Sequence, residues 1–220
     1  MRLLELFAGT GSVGNVFRAR GWEVLSLDSD PKAEADVCAD VLDFDYRAYA
    51  PDHFDCVWAS PPCTHYSRAR TTGGPRDLEG SDALVRRVLD IFEYFGGVYW
   101  MENPHSGLLK TRAVVAHLPE PLVADYCMYC DWGYRKRTAL WTNAAMPTKL
   151  CDKACPGFDG IHPKTAQRGV GRQQRLHGLA DGHSVRELYR IPPALVGDVE
   201  NAARVYLGAP APSAGLVGGS

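Results

Sequence analysis

The apolar run Phe54-Asp55-Cys56-Val57-Trp58-Ala59 stops at Ser60-Pro61-Pro62-Cys63, and this stop constrains the fold more than any other stretch. Proline fixes φ and has no amide to donate, so a buried strand cannot run through two of them and the backbone must leave the sheet. Cys63 is thereby presented just past a strand end, where open α/β sheets place their ligands. Thr64, His65, Ser67, Arg68 and Arg70 surround it, and a thiol among small, polar and basic residues suits a nucleophile near a polyanion. A free cysteine that merely packs is the competing reading.

The stretches on either side supply the rest of an α/β pattern. Leu3 to Phe7 reads as a strand, Ala8-Gly9-Thr10-Gly11-Ser12-Val13-Gly14 as a glycine-rich turn, and Val16, Phe17 and Ala19 as the start of a helix. That order makes a nucleotide-type cradle, because glycines let the backbone approach a ligand and the helix start offers free amides. Glu23 to Leu27 forms a second strand ending in Asp28, placed to bind ribose hydroxyls, and Asp40 follows the short segment Ala35 to Ala39, placed to accept from an adenine amino group. Each aspartate also suits a helix cap or a turn. Thr71 to Pro75 reads as a loop, and Ser81 to Phe95 as a helix with Ser81 as its cap. Val98 to Met101 is a buried strand delivering Glu102-Asn103-Pro104 at its end, and Leu122 to Tyr126 and Thr138 to Trp141 are two more. The alternation predicts an α/β fold with a doubly wound, mainly parallel sheet.

The expected organisation is a cofactor-binding and catalytic domain over 1–143, a small irregular basic insert over 144–185 for target recognition, a closing helix within 186–208 and a disordered tail over 209–220. At 220 residues and 45% hydrophobic, the chain is long enough for one sizeable core. No apolar run reaches membrane-span length and Met1 leads straight into a strand, so a soluble, cytoplasmic protein without membrane contact is expected. Charge is uneven: residues 1–131 carry 12 Lys+Arg against 20 Asp+Glu, whereas residues 132–190 carry 11 against 4. A basic segment on an acidic body suits a nucleic-acid partner, with a merely solvated basic face as the alternative.

Taken in chain order, Phe7-Ala8-Gly9-Thr10-Gly11, Asp28, Asp40, Pro62-Cys63 with Ser67, Glu102-Asn103 and Arg135-x-Arg137 resemble the DNA cytosine-5 methyltransferase family across residues 1–143. Val185 to Tyr206 is similar, more weakly, to that family's final motif. The resemblance implies a Rossmann-like fold and transfer of a methyl group from S-adenosylmethionine to carbon 5 of a cytosine flipped out of DNA. It implies Cys63 as the nucleophile at carbon 6, Glu102 against the ring nitrogen and exocyclic amine, and Arg135 and Arg137 as supports of the base and of Glu102. Phe7, Ala8, Gly9, Thr10, Gly11, Ser29 and Pro61 fall to the cofactor, with Asp28 at the ribose and Asp40 with Val41 at the adenine. The chemistry suits these residue types: a thiolate at carbon 6 turns the ring into an enamine, and a carboxyl group at nitrogen 3 shares the proton as charge builds there. Ser29 stands where the family often has a bulky aromatic, and the recognition segment is short. A monomer is expected. Modification of RNA, transfer of a larger group from a modified donor, and a catalytically idle DNA-binding module are the rival functions.

Seven cysteines, clustered late, read as reduced thiols and metal ligands rather than a disulfide framework. Cys127-x-x-Cys130, Cys151-x-x-x-Cys155 and His162 resemble structural zinc spacing, with Cys151, Cys155 and His162 as ligands and Cys127 or Cys130 as the fourth. A small irregular segment has little core of its own, which a metal would remedy. Cys127 as a packed continuation of its strand is the alternative.

Overall fold

The computed structural model describes residues 1–68, 70, 74–153, 155, 161–164, 166 and 184–210. Thr71 to Gly73, the expected tail from 211 onward and most of the basic segment, including Arg168, Arg172 and Arg175, lie outside the described residues.

Among the described residues the sheet has seven strands: β1 (Arg2–Leu6), β2 (Glu23–Asp28), β3 (Val37–Cys38), β4 (Cys56–Ala59), β5 (Val98–Pro104), β6 (Leu122–Asp125) and β7 (Arg137–Thr142), in the order β3-β2-β1-β4-β5-β7-β6. Pairs β1–β2, β1–β4, β2–β3 and β4–β5 are parallel, and β7 runs antiparallel to both β5 and β6. The helices are α1 (Ser12–Ala19), α2 (Leu78–Phe95), α3 (Val185–Tyr189) and α4 (Pro193–Tyr206). This is a doubly wound, Rossmann-like α/β fold. Chain order reverses between β1 and β4, so the loops after these two strands leave the sheet side by side at its carboxyl edge.

Both faces of the parallel half are covered, which is why its strands read as continuous apolar runs. Alternation sends neighbouring side chains to opposite faces. Leu3, Cys56, Trp58, Val98 and Trp100 join a core with Phe17, Trp22, Leu195, Val196 and Val199 beneath α1 and α4. Leu4, Leu6, Val57, Ala59 and Met101 join the other core with Phe44, Val85, Ile91 and Phe95 beneath α2.

Helix α1 rests on α4 through a buried charge cluster. The fully buried Glu200 accepts from Arg20 at 2.8 Å and from the Trp22 indole at 2.6 Å, and it also pairs with Arg204. Helix α2 begins earlier than its periodicity predicts. Asp77 caps it by accepting from the Gly80 amide at 2.8 Å, while Ser81 is buried and donates to the Asp77 carbonyl at 2.7 Å. Asp77 caps because its carboxylate reaches a free amide of the first turn, in which Leu78 alone is apolar and leaves little periodicity to read. Among the described residues no helix is long and apolar enough to cross a membrane.

Candidate active site

The turn after β1 is built from positive-φ residues: Phe7 at 60°, Gly9 at 52° and Gly11 at 69°. A Cβ at Gly9 would meet only the Phe7 carbonyl, at 3.8 Å, so the space over the turn is open and the backbone is its floor. Asp28 closes the turn from β2, accepting from the Gly9 amide at 2.8 Å through one oxygen and from the Asp30 amide at 2.8 Å through the other. Thr10 and Ser12 share a hydroxyl bond of 2.7 Å, and Ser12 accepts from the Ile191 amide at 3.3 Å, joining the turn to the segment before α4. A cavity of about 600 Å³ opens there, with Thr10, Ser12, Asn15, Trp132 and Arg190 in its wall.

Ser29 and Asp40 are exposed beyond β2 and β3. Asp40 forms a turn, accepting from the Leu42 amide at 2.9 Å. Val41, expected with Asp40 at the adenine, follows on the same turn. Its side chain is buried in the core under α2 and its carbonyl accepts from Arg87 at 3.1 Å, because the apolar face there needs filling.

Cys63 follows β4 as expected of a strand stopped by prolines. The Asn103 side chain donates to the Pro61 carbonyl at 2.9 Å, tying the end of β5 to the loop. Ser67 donates its amide to the Cys63 carbonyl at 2.8 Å, and Arg76 clamps the carbonyls of His65 and Ser67, each at 2.8 Å. Beneath the loop, the wholly buried Tyr66 donates to Asp82 at 2.8 Å, and Asp82 takes Arg112 at 2.6 Å. Burial works to raise Asp82, yet Arg112 and Tyr66 hold its carboxyl below the usual range, so the anchor is ionic. A larger cavity of about 990 Å³, alongside α2, includes neither Cys63 nor any other residue expected in the site.

Glu102, on β5, is buried. It accepts a short bond from Thr138 and one of 3.2 Å from Tyr126, and its oxygen lies 3.8 Å from the Lys136 ammonium. Burial pushes the Cys63 thiol above its ordinary value, the Lys136 ammonium pulls it down, and the Glu102 carboxylate pushes it up again. The Cys63 thiol, the Glu102 carboxylate and the Lys136 ammonium therefore share one electrostatic neighbourhood.

Of the Arg-x-Arg pair, Arg137 is paired with Asp125 rather than with Glu102. Arg137 stands opposite Asp125 in the β6–β7 register and grips it with two bonds of 2.9 and 2.7 Å, and Arg135 is exposed. Alternation places Lys136 and Thr138 on the face that meets Glu102, and the intervening Arg137 on the other. Lys136 also lies 4.8 Å over the Tyr126 ring and donates to the Leu188 carbonyl of α3 at 3.3 Å.

A second constellation lies just past β6. The donor atoms of Cys127, Cys151, Cys155 and His162 all fall within 4.8 Å of one another. Cys151 and Cys155 sulfurs are 3.6 Å apart, and His162 Nε2 is 3.6 and 3.3 Å from them. Cys130 is left out, its thiol donating to the Tyr126 carbonyl at 3.2 Å. The strand ends at Asp125, and a 3-10 turn over Tyr126–Met128 turns Cys127 and Cys130 apart. Burial pushes Cys127 and Cys155 up and His162 down, leaving a neutral imidazole. Three soft sulfurs and one imidazole are a donor set suited to zinc.

No protein-family model matches the chain. Among solved structures, it is similar to an E. coli protein named "putative DNA modification methyltransferase encoded within prophage", with 15% identity, a TM-score of 0.48, and coverage of 78% of this chain and 56% of that one. The Entamoeba histolytica methyltransferase EhMeth gives 11% identity, a TM-score of 0.48, and coverage of 68% and 55%. The chain thus spans little more than half the length of either solved protein. A relative of matching length comes from frog virus 3 (isolate Goorha), a protein named "Probable DNA (cytosine-5)-methyltransferase". It is 36% identical over 213 residues, covering 89% of this chain and 97% of the relative. With a similarity of that extent over nearly the whole of both proteins, the chain belongs to the DNA (cytosine-5)-methyltransferase family.

Proposed function

We propose that this protein transfers a methyl group from S-adenosylmethionine to carbon 5 of a cytosine in DNA, the base being flipped out of the helix and bound covalently to Cys63. One observation carries the proposal: Cys63, Glu102 and Lys136 converge at the carboxyl ends of β4 and β5, beside the open glycine turn at the switch point of the sheet. The turn suits the donor, since Gly9 and Gly11 leave bare backbone and Asp28 keeps the turn against β2. When bound, S-adenosylmethionine supplies an electrophilic methyl group on a sulfonium.

The chain's own residues do the rest. Cys63, as thiolate, adds to carbon 6 and makes carbon 5 nucleophilic; after transfer the carbon 5 proton is lost and the thiolate leaves. Lys136 favours the thiolate against the cost of burial. Glu102, fixed by Thr138 and Tyr126, is the hydrogen-bond partner of nitrogen 3 and the exocyclic amine of the ring. Asn103 and the Tyr66–Asp82–Arg112 anchor keep Cys63 in place. The same reading includes a structural zinc ion on Cys127, Cys151, Cys155 and His162, with Asp125 supporting the ligands through the Cys151 amide.

Oligonucleotides containing 5-fluorocytosine test the covalent step, since fluorine blocks the final elimination. The wild type is expected to form a stable adduct in the presence of S-adenosylmethionine, and Cys63→Ser to form none while retaining cofactor affinity. Equal trapping by Cys63→Ser, or a product base other than 5-methylcytosine, overturns the proposal.

A further inference from the structure

The four-donor cluster touches the catalytic acid through a single dipeptide. Cys127 directly follows Tyr126, whose hydroxyl donates to Glu102 at 3.2 Å. The Cys151 amide donates to Asp125 at 2.8 Å, and the same carboxylate holds Arg137. The main chain repeats the join: the Asp125 amide donates to the Lys149 carbonyl at 3.0 Å, and the Tyr126 amide to the Lys136 carbonyl at 3.1 Å. Ligands at 127 and 151 thus flank Asp125 and Tyr126, the pair that orients Arg137 and Glu102.

The Tyr126 ring is wholly buried in the main core with Tyr129, Tyr134 and Leu140, so a metal here would act on the backbone of the turn that carries it. Tyr126 lies outside the strand, on a three-residue 3-10 turn whose hydrogen bonds have poor geometry. The apolar cluster there consists of Cys127, Cys151 and Cys155 with Met128 against them, too small to form a core. The spacings suit a tetrahedral ion: bonds of about 2.3 Å to sulfur and 2.0–2.1 Å to nitrogen put sulfurs about 3.8 Å apart and sulfur and nitrogen about 3.5 Å apart. The observed 3.6 Å between sulfurs and 3.6 and 3.3 Å to His162 are close to those values.

Resting on the methyltransferase and zinc readings above, we infer that zinc at Cys127, Cys151, Cys155 and His162 is a positioning centre for the catalytic acid: occupancy fixes the Tyr126 turn, Tyr126 fixes Glu102, and metal loss slows methyl transfer itself. Cys127 is the ligand that transmits the constraint, being covalently next to Tyr126. Asp125 spreads it to Arg137. The cofactor turn, on β1 and β2, is four strands away in the sheet and is spared.

The test compares the full chain as purified with zinc, after mild chelation, and after zinc is restored. Metal content, S-adenosylmethionine affinity, kcat and KM for DNA, and hydrogen exchange of peptides spanning 122–130 and 1–15 are measured on each. Chelation is expected to lower kcat about 10-fold or more, as loss of support around a metal site commonly does, with KM and cofactor affinity within about 2-fold. Exchange is expected to rise in 122–130 and not in 1–15, and zinc to restore both kcat and protection. Tyr126→Phe, which breaks the link to Glu102 without touching a ligand, is expected to bind zinc normally and to lose most of the metal dependence of kcat. Absence of bound or bindable zinc overturns the zinc reading and the inference with it. Zinc whose removal leaves exchange and kcat unchanged overturns the positioning role alone. Loss of cofactor affinity in parallel with kcat also overturns it, by making the metal a general prop. A zinc-loaded protein whose exchange responds to the metal but which methylates no DNA overturns the methyltransferase reading and the kinetic part of the inference.

Discussion

Glu5 lies on β1 beneath the first turn of α1, 2% exposed, with one carboxylate oxygen lacking a hydrogen-bond partner. A Cβ at Gly14 would come within 2.3 Å of that oxygen, so helix and carboxylate are in direct contact. Desolvation lifts the Glu5 pKa from the usual 4.5 to about 7, against the opposing pull of the Gly14 and Val13 amides and the Arg18 guanidinium. A raised carboxyl pKa means that the folded state binds the proton more tightly than the unfolded chain. Its stabilising contribution is therefore complete below pH 4.5, is lost as pH rises toward 7, and is absent above. At about 1.4 kcal/mol per pH unit the span sets an upper figure of about 3 kcal/mol, and relaxation around the charge reduces it toward about 2 kcal/mol. Glu5→Gln removes the titration while keeping an oxygen to accept from the α1 amides. Urea denaturation at pH 5, 6, 7 and 8 measures the stability of the variant minus that of the wild type, so that all other titrations cancel. The difference is expected to move in favour of the glutamine variant by about 2 kcal/mol between pH 5 and pH 8. A difference flat within about 0.5 kcal/mol, or moving the other way, refutes the account of Glu5 as a buried acid that charges at the expense of the fold.

Lys136→Met removes the cation beside Cys63 and Glu102; single-turnover methylation is expected to slow about 10-fold or more, with its rising pH limb displaced upward because the thiol has lost the group that lowers its pKa, and Lys136→Arg is expected to recover much of the rate. An unchanged pH profile removes Lys136 from the site. Tyr66→Phe deletes the hydroxyl that donates to Asp82 under the nucleophile loop; it is expected to cost about 1 kcal/mol in denaturation and to slow 5-fluorocytosine trapping while leaving cofactor affinity unchanged.

The parallel half of the molecule was legible because local rules and tertiary structure agree there. Gly9 and Gly11 have the positive φ that their residue type suggests, Pro61 and Pro62 end β4, and the apolar runs are the strands buried on both faces. The antiparallel half was harder to read. Whether residues 135 and 137 or 136 and 138 face the acid depends on the register of β7 against β5, and a one-residue slip exchanges the two sets. Leu140 stands opposite Glu102 in that register, and on the other side of β7 Asp125 of β6 holds Arg137, but these residues lie on different strands and nothing local marks them as partners. The alternation of Lys136 and Thr138 was the available clue to the face of Glu102, and the basic flanks obscured it. The spacing of Cys127 and Cys130 left either as the fourth ligand, and the 3-10 turn after Asp125 brings the first of them to the cluster.

The contact between α1 and α4 imposes an order on assembly. Arg20 and Trp22 close on Glu200, and Arg204 closes on the carbonyl of Arg20, so the first strand-turn-helix unit leans on residues about 180 positions away in the chain. During synthesis from the N-terminus, that unit emerges early but cannot bury Trp22 or neutralise Arg20 until α4 has left the ribosome. The far end of α1 is thus secured only once α4 is available. A nascent chain stalled anywhere before residue 200 would expose the tryptophan and the unpaired face of α1, a signature that chaperones and proteases can read before any cofactor can bind.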